Sequence, residues 1–185
     1  MHLNEWYDKA MSSDTYIGSM KQHKDNLLYI YEQFQLPEDD TFFQKLADKQ
    51  LRVIALTEDW CGDAMLNIPI LLRIAEKADM PVRMLLRDDN LELMDQYLTN
   101  GKSRSIPIFI FIDETGQERA KWGPRAAKVQ AFVDQSRSGL PPKDADNYKE
   151  KFQEVISYTT NEFLNNTRFW DDVYHDLKQT LEKIL

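Results

Sequence analysis

The chain is organised around residues 57–64, which read Thr57-Glu58-Asp59-Trp60-Cys61-Gly62-Asp63-Ala64. Cys61 is the only cysteine among 185 residues. An apolar run precedes this stretch, and apolar residues at helical spacing follow it. Cys61 is therefore predicted at a strand–helix junction, where the unpaired amides and the dipole of a helix favour a thiolate. Lone cysteines are more often inert core residues, so the neighbours of Cys61 must decide between packing and reactivity.

The composition indicates a globular domain with additions and limits its partners. The net charge of -8 argues against nucleic acid or an anionic membrane as the main partner. We expect no signal peptide, because a basic region followed by an apolar one is absent from the start of the chain. No apolar run approaches the roughly 18 residues of a spanning helix, and we expect a cytoplasmic protein. One cysteine excludes an intramolecular disulfide and a cysteine-built metal or cluster site within one chain, so we expect no metal and no resident cofactor.

The first half of the chain alternates helical and strand patterns. Residues 3–11 are predicted to form a short helix, and the apolar spacing over 14–35 predicts one long amphipathic helix. Leu36-Pro37 ends this pattern, and a shorter helix is expected near 38–49. Residues 51–57 are typical of a buried parallel strand.

The middle of the chain completes an α/β pattern. A helix over 62–78 should be kinked by Pro69. Further strands are predicted at 81–86, 105–112 and 118–122, with helices at 90–98 and 126–136. The order strand, helix, strand, helix, hairpin and helix predicts a mixed sheet that is parallel at first and antiparallel at its end.

The last part of the chain is predicted to be a helical addition. Gly139-Leu140-Pro141-Pro142 marks a boundary, and two apolar stripes follow at helical spacing. These stripes must dock on the core, on the N-terminal helices or on another subunit, so a homodimer through the extensions stays open. The predicted division is an N-terminal helical extension over 1–37, a core over 38–137 and a C-terminal helical extension over 138–185.

Several motifs resemble the thioredoxin superfamily. Trp60-Cys61-Gly62-Asp63-Ala64 stands where thioredoxins carry Trp-Cys-Gly-Pro-Cys. Pro69 lies eight residues after the cysteine, where thioredoxins have a kinking proline. Ile106-Pro107 precedes a strand, where thioredoxins have an Ile-Pro with a cis bond. The resemblance covers about residues 38–137, and the layout with added helices is similar to that of the helix-flanked thioredoxin-like proteins of Gram-positive bacteria.

This resemblance implies a fold and a site. The fold would be a three-layer thioredoxin-like α/β fold with a mixed central sheet and added helices. Cys61 would be the catalytic thiol, Ile106 and Pro107 would hold an extended partner segment beside it, and Trp60 would shield one side. Gly62 and Asp63 would complete the substrate-binding surface.

Three departures from the thioredoxin pattern affect the chemistry. Ala64 replaces the resolving cysteine, and Ala55 replaces the buried aspartate that handles protons. Asp63 replaces the motif proline, and a carboxylate in the first helical turn is able to cap the helix amides in place of the thiolate. A dithiol cycle therefore cannot run within this chain. The acidic residues around Cys61 should raise its pKa against the helix, so we expect a thiol less acidic than in reducing dithiol proteins.

Two hypotheses of different classes follow. The first is a monothiol thiol–disulfide oxidoreductase, in which Cys61 forms mixed disulfides with protein or small-molecule disulfides and an external thiol, such as a low-molecular-weight co-substrate, resolves them. The second is a redox-inactive binding or scaffold module, which Ala55, Ala64 and the acidic rim favour.

Two further readings are weaker. A peroxidatic cysteine needs a nearby cation, and only Arg104 or Arg125 could approach through the fold. A glutaredoxin-like cluster shared between subunits lacks the expected Cys-Gly-Phe-Ser motif.

Overall fold

A five-stranded mixed sheet with helices packed around it forms the centre of the computed structural model, which describes residues 2–185. Its strands are β1 Met11–Ser12, β2 Arg52–Thr57, β3 Val82–Leu86, β4 Ile108–Ile112 and β5 Glu118–Trp122. The helices are α1 Leu3–Lys9, α2 Ser13–Ser19, α3 Lys24–Gln33, α4 Asp40–Ala47, α5 Gly62–Lys77, α6 Leu91–Met94, α7 Ala127–Arg137, α8 Tyr148–Asn165 and α9 Thr167–Glu182. The predicted thioredoxin-like α/β fold with added helices is confirmed.

The sheet has the order β1-β3-β2-β4-β5. β2 pairs in parallel with β3 and antiparallel with β4, and β4 pairs antiparallel with β5. The central residues of β2, Val53 to Leu56, are fully buried, as expected for a strand covered on both faces. The predicted mixed sheet, parallel at first and antiparallel at its end, is thus present, with β2 leading directly to the loop that carries Cys61.

The prediction of a single helix over residues 14–35 is wrong. Two helices, α2 and α3, replace it, and His23 between them has a left-handed backbone with φ 57°. Asp59 accounts for the break, because its Oδ2 accepts hydrogen bonds from the amides of Lys21 at 2.8 Å and Gln22 at 3.4 Å. Those amides would otherwise bond within a continuous helix. The break therefore ties the N-terminal region to the cysteine loop.

Strand β1 was also absent from the sequence prediction. A strand of two residues is too short to show an alternating pattern. β1 pairs antiparallel with β3, with Met11 opposite Met84. The N-terminal region thus contributes to the sheet itself, while the division at residue 37 stays a prediction.

The C-terminal helices dock on the core. Helix α9 packs against α5, α7 and β5, and α8 packs against α5 and α7. A hydrogen bond of 2.6 Å from Trp122 Nε1 to Asp176 Oδ1 joins β5 to α9. Tyr29 and Phe34 of the N-terminal half contact Trp170 and Tyr174 of α9 edge-on or tilted. Both the core and the N-terminal helices therefore cover the apolar stripe of α9.

No helix among residues 2–185 is both long enough and apolar enough to cross a membrane.

Candidate functional site

Cys61 occupies the N-cap position of α5 and is 8% exposed. Its Sγ donates a hydrogen bond to the carbonyl oxygen of Ile106 at 3.5 Å. Ile106 and Pro107 are buried and joined by a cis peptide bond. The fold thus brings together the thiol and the Ile-Pro segment, which are 45 residues apart in the chain.

Burial dominates the electrostatics of the thiol. It raises the pKa of Cys61 from 9.0 to about 12, and the Asp63 carboxylate beside the sulfur acts in the same direction. The amides of Ala64 and Asp63 and the charge of Arg125 lower this pKa but do not overcome burial. The sequence pointed to the competition between helix amides and carboxylates, while the larger effect of burial appears only in the folded chain.

Asp63 forms a two-point ion pair with Arg125. The guanidinium Nε and Nη2 of Arg125 each donate to an Asp63 carboxylate oxygen at 2.6 Å, and both side chains are 13% exposed. Arg125 also donates from Nη1 to Gln130 Oε1 at 2.9 Å. Burial raises the pKa of Asp63, and the Arg125 charge opposes that rise. The carboxylate therefore binds Arg125, in place of the helix amides that its position in the first turn of α5 had offered as partners.

The two other acidic residues of the loop have structural partners. Glu58 is buried, and its Oε1 accepts the amide of Asp88 at 2.8 Å. Burial raises the pKa of the Glu58 carboxyl. Asp59 binds the amides at the α2–α3 break. Asp63 is consequently the carboxylate with the largest effect on the thiol.

Trp60 forms the exposed aromatic surface next to Cys61. Its side chain is 44% exposed, and the guanidinium carbon of Arg87 lies 4.9 Å from its ring centroid. Arg87 in turn donates to Asp88 Oδ1 at 2.7 and 2.9 Å. Arg104, the other cation considered from the sequence, instead binds Asp95 at 2.6 and 2.9 Å. A cation–π contact thus holds Trp60 at the surface.

Helix α8 reaches the site, which the sequence did not indicate. A Cβ atom on Gly62 would lie 3.1 Å from Thr160 Oγ1. A small cavity of about 50 Å³ lies between the start of α5 and α8, with Asp63, Arg125 and Arg137 in its walls. The C-terminal extension therefore covers one side of the cysteine loop. Thr159-Thr160 carries no motif that could have predicted this contact.

Gly123 is a further site residue missed from the sequence, where Gly123-Pro124 indicated only a break. It has φ 124°, and a Cβ there would lie 2.2 Å from the carbonyl oxygen of Pro107. Nearby, Asn67 of α5 donates from Nδ2 to the carbonyl of Pro124 at 2.9 Å. The 123–125 loop is therefore fixed against both the Ile-Pro segment and the cysteine helix.

Tyr16 is buried against the end of β2, which leads into the cysteine loop. Its hydroxyl lies 3.1 Å from Thr57 Oγ1, and burial raises its pKa above the ordinary tyrosine range. The charges of Asp59 and Cys61 raise the pKa of Tyr16 further. No sequence motif marked Tyr16, because it looked like one member of a helical apolar stripe.

Comparisons with known proteins agree with this geometry. Two solved structures have the same overall fold over nearly their whole length. The crystal structure of an HIV epitope-scaffold has a TM-score of 0.70 and 14% identity, with 100% of both chains covered. A protein of unknown function from Pseudomonas aeruginosa has a TM-score of 0.65 and 14% identity, with 97% of this chain and 98% of that one covered. At this identity the likeness shows the fold alone.

The family comparison covers most of the chain. A search of curated proteins found no match. The thioredoxin family model, in contrast, matches residues 10–137, a range that holds the whole sheet, the cysteine loop, the cis Ile-Pro segment and the Gly123 loop. The match begins before the predicted core and ends at its predicted C-terminal limit. With a thiol at the start of the first long core helix and a cis proline beside it, the chain belongs to the thioredoxin family.

Proposed function

We propose that this protein is a slow monothiol thiol–disulfide oxidoreductase that forms mixed disulfides on Cys61. The observation that supports this most is the hydrogen bond from Cys61 Sγ to the carbonyl of Ile106 at the start of α5. In support, the thiol contacts the backbone of the buried Ile106-Pro107 segment, and the exposed Trp60 side chain lies next to it in the chain. The arrangement suits a disulfide held against Ile106 and Pro107, with Trp60, Gly62 and Asp63 around it.

The proposed reaction has two exchange steps. The Cys61 thiolate attacks one sulfur of a disulfide, a new bond to Cys61 forms, and the other sulfur leaves as a thiolate that takes up the proton. An external thiolate then attacks the outer sulfur of the mixed disulfide, and Cys61 leaves and is reprotonated. Ala64 offers no second thiol, so the external thiol is required.

The thiol pKa makes both steps slow. A pKa of about 12 in place of 9.0 lowers the thiolate fraction at neutral pH; the reduction is about a thousandfold. The higher basicity restores roughly 15- to 30-fold through nucleophilicity, which leaves exchange about 30 to 60 times slower than for an ordinary thiol. A thiolate of high pKa is also a poor leaving group, so a mixed disulfide on Cys61 should persist. The protein would act by capture more than by rapid turnover.

A redox-inactive binding module is the second candidate. The raised pKa of Cys61 favours this candidate because it opposes thiolate formation. The buried Asp63–Arg125 pair favours it because the pair fixes the loop. In that case the Trp60 surface and the C-terminal helices would bind a partner irrespective of the thiol.

The proposed setting is the cytoplasm of a bacterial cell, with a role in thiol–disulfide homeostasis. Protein or small-molecule disulfides would be the partners, and a low-molecular-weight thiol would be the co-substrate. The setting agrees with the single cysteine, because secreted domains more often use paired cysteines.

The two candidates are separated by exchange assays on the wild type and Cys61→Ser. Reduction of 2-hydroxyethyl disulfide by added 2-mercaptoethanol should be accelerated by the wild type only. Mixed disulfides captured in cells should map to Cys61 and be absent from the variant. A partner complex that survives Cys61→Ser, together with no adduct on the wild type, would instead support the binding module.

A further inference from the structure

A cavity of about 370 Å³ adjoins the cysteine site on the side of β5. Its walls come from residues 97–100, from the end of β5 and from α9. Two of its lining residues connect it to the site: Gly123 contacts the Pro107 carbonyl, and Arg125 binds Asp63. Its volume lies within the range of small-molecule sites, which is about 300 to 1,000 Å³.

The cavity lining contains one cation and one anion whose charges no ion pair neutralises within residues 2–185. Among residues 2–185, neither Lys121 nor Asp176 makes an ion pair. Arg125 is neutralised by Asp63, and Lys121 Nζ lies 5.8 Å from the ring centroid of Tyr97. A cavity that presents one unpaired ammonium and one unpaired carboxylate is complementary to a zwitterion.

Asp176 is held in place for such a contact. Its Oδ1 accepts from Trp122 Nε1 at 2.6 Å, and its Oδ2 accepts from the Ala127 amide at 3.1 Å. An ionised carboxylate has about four acceptor positions, so each oxygen can still accept a hydrogen bond from a ligand ammonium. Thr99 and Asn100 add a hydroxyl and an amide to the lining of the cavity.

We propose that this cavity binds a zwitterionic thiol of the amino-acid or short-peptide type, which resolves the mixed disulfide on Cys61. The proposal rests on the proposed function. The ligand ammonium contacts Asp176 and its carboxylate contacts Lys121. Its thiolate attacks the outer sulfur of the mixed disulfide, a new disulfide forms between ligand and substrate, and Cys61 leaves as a thiolate that takes up a proton from solvent. Helix α9 thereby contributes a binding residue to the thioredoxin core.

Binding is tested first without thiol chemistry. Three thioethers serve as probes: S-methyl-L-cysteine is a zwitterion, 3-(methylthio)propionate carries only the negative charge, and 2-(methylthio)ethylamine carries only the positive charge. Each is titrated into the protein while the indole N–H resonance of Trp122 is followed. The zwitterion should bind at least tenfold more tightly than either singly charged compound. Lys121→Glu should abolish that preference, and Lys102→Glu, an exposed charge change outside the cavity walls, should leave it intact. Equal binding of the three compounds, or no binding, would overturn the proposal.

Release kinetics then test the resolving role. A 2-hydroxyethyl adduct on Cys61 is treated with L-cysteine, 3-mercaptopropionate or cysteamine, and each rate is corrected for the thiolate fraction. Release by L-cysteine should be at least tenfold faster than by the others in the wild type, and no faster than release by cysteamine in Lys121→Glu. Equal corrected rates in the wild type would refute this inference and leave the proposed function standing. Failure to form any adduct would refute the proposed function and the resolving role together, whatever the binding titrations show.

Discussion

Removing the charge of Asp63 should make Cys61 more reactive. Asp63 is the charged group that most raises the pKa of Cys61, second only to burial, and its carboxylate is itself buried beside the sulfur. A like charge within about 8 Å contributes roughly 2 kcal/mol at an effective dielectric constant of about 20, which corresponds to about 1.5 pKa units. Asp63→Asn should therefore lower the thiol pKa from about 12 towards the ordinary range. Arg125, freed from its partner, acts in the same direction.

The expected rate change follows from two opposing effects. A fall of about 1.5 pKa units raises the thiolate fraction roughly thirtyfold, while the lower basicity reduces nucleophilicity about four- to sixfold. Alkylation of Asp63→Asn by iodoacetamide at pH 8 should thus be about five to ten times faster than that of the wild type. Iodoacetamide is neutral, so the lost charge does not alter its approach.

The control is Asp171→Asn, which removes an exposed carboxylate of α9 and should leave the rate unchanged. Thermal unfolding measured on the same samples excludes a gain in rate from opening of the fold. An alkylation rate for folded Asp63→Asn that is equal to or below that of the wild type would refute the assignment of Asp63 as the carboxylate that opposes the thiolate.

Three further predictions concern stability. Arg125→Met should lower the free energy of unfolding by about 3 to 5 kcal/mol, because it leaves the buried Asp63 carboxylate unpaired. The double variant Asp63→Leu with Arg125→Met should recover part of that loss. Losses of the two single variants that simply add in the double variant, measured by chemical denaturation, would contradict this. Gly123→Ala should lower the free energy of unfolding by about 3 to 5 kcal/mol because of the contact with Pro107 and the positive φ. Gly18→Ala, in open space within α2, should raise it by about 0.5 to 1 kcal/mol. Equal denaturation midpoints for Gly123→Ala and the wild type would show that the Gly123 loop is not packed as described. The thiol pKa is 9.0 unfolded and about 12 folded, so its stabilising effect is complete below pH 9 and is lost as pH rises towards 12. Wild type should therefore lose about 1 kcal/mol more than Cys61→Ala between pH 8 and pH 10, and parallel stability curves would exclude a raised thiol pKa.

Local patterns predicted most of the core fold. The unbroken apolar run before Thr57, the proline within α5 and the Ile-Pro before β4 each act through adjacent residues, so their consequences can be read along the chain. The long N-terminal helix failed because Asp59 binds the amides of Lys21 and Gln22 from a distant loop. No pattern within residues 14–35 reports such a contact.

The candidate site was predicted less completely than the fold. Cys61 and Pro107 were marked by their motifs, but the ion pair of Asp63 with Arg125 joins residues 62 positions apart. The approach of Thr160 to Gly62 likewise depends on how α8 docks. Burial of the sulfur, which outweighs every charge around it, is a property of packing and leaves no signature in the loop sequence.

Capture and retention of disulfides by folded Cys61 can be followed by intact-mass measurement after incubation with 2-hydroxyethyl disulfide in native buffer. The wild type should gain one adduct per chain on Cys61, slowly, and keep it after transfer to thiol-free buffer until an external thiol is added. Cys61→Ser should gain none. An adduct that forms only in denaturant, with none on the folded protein, would contradict capture at the folded site.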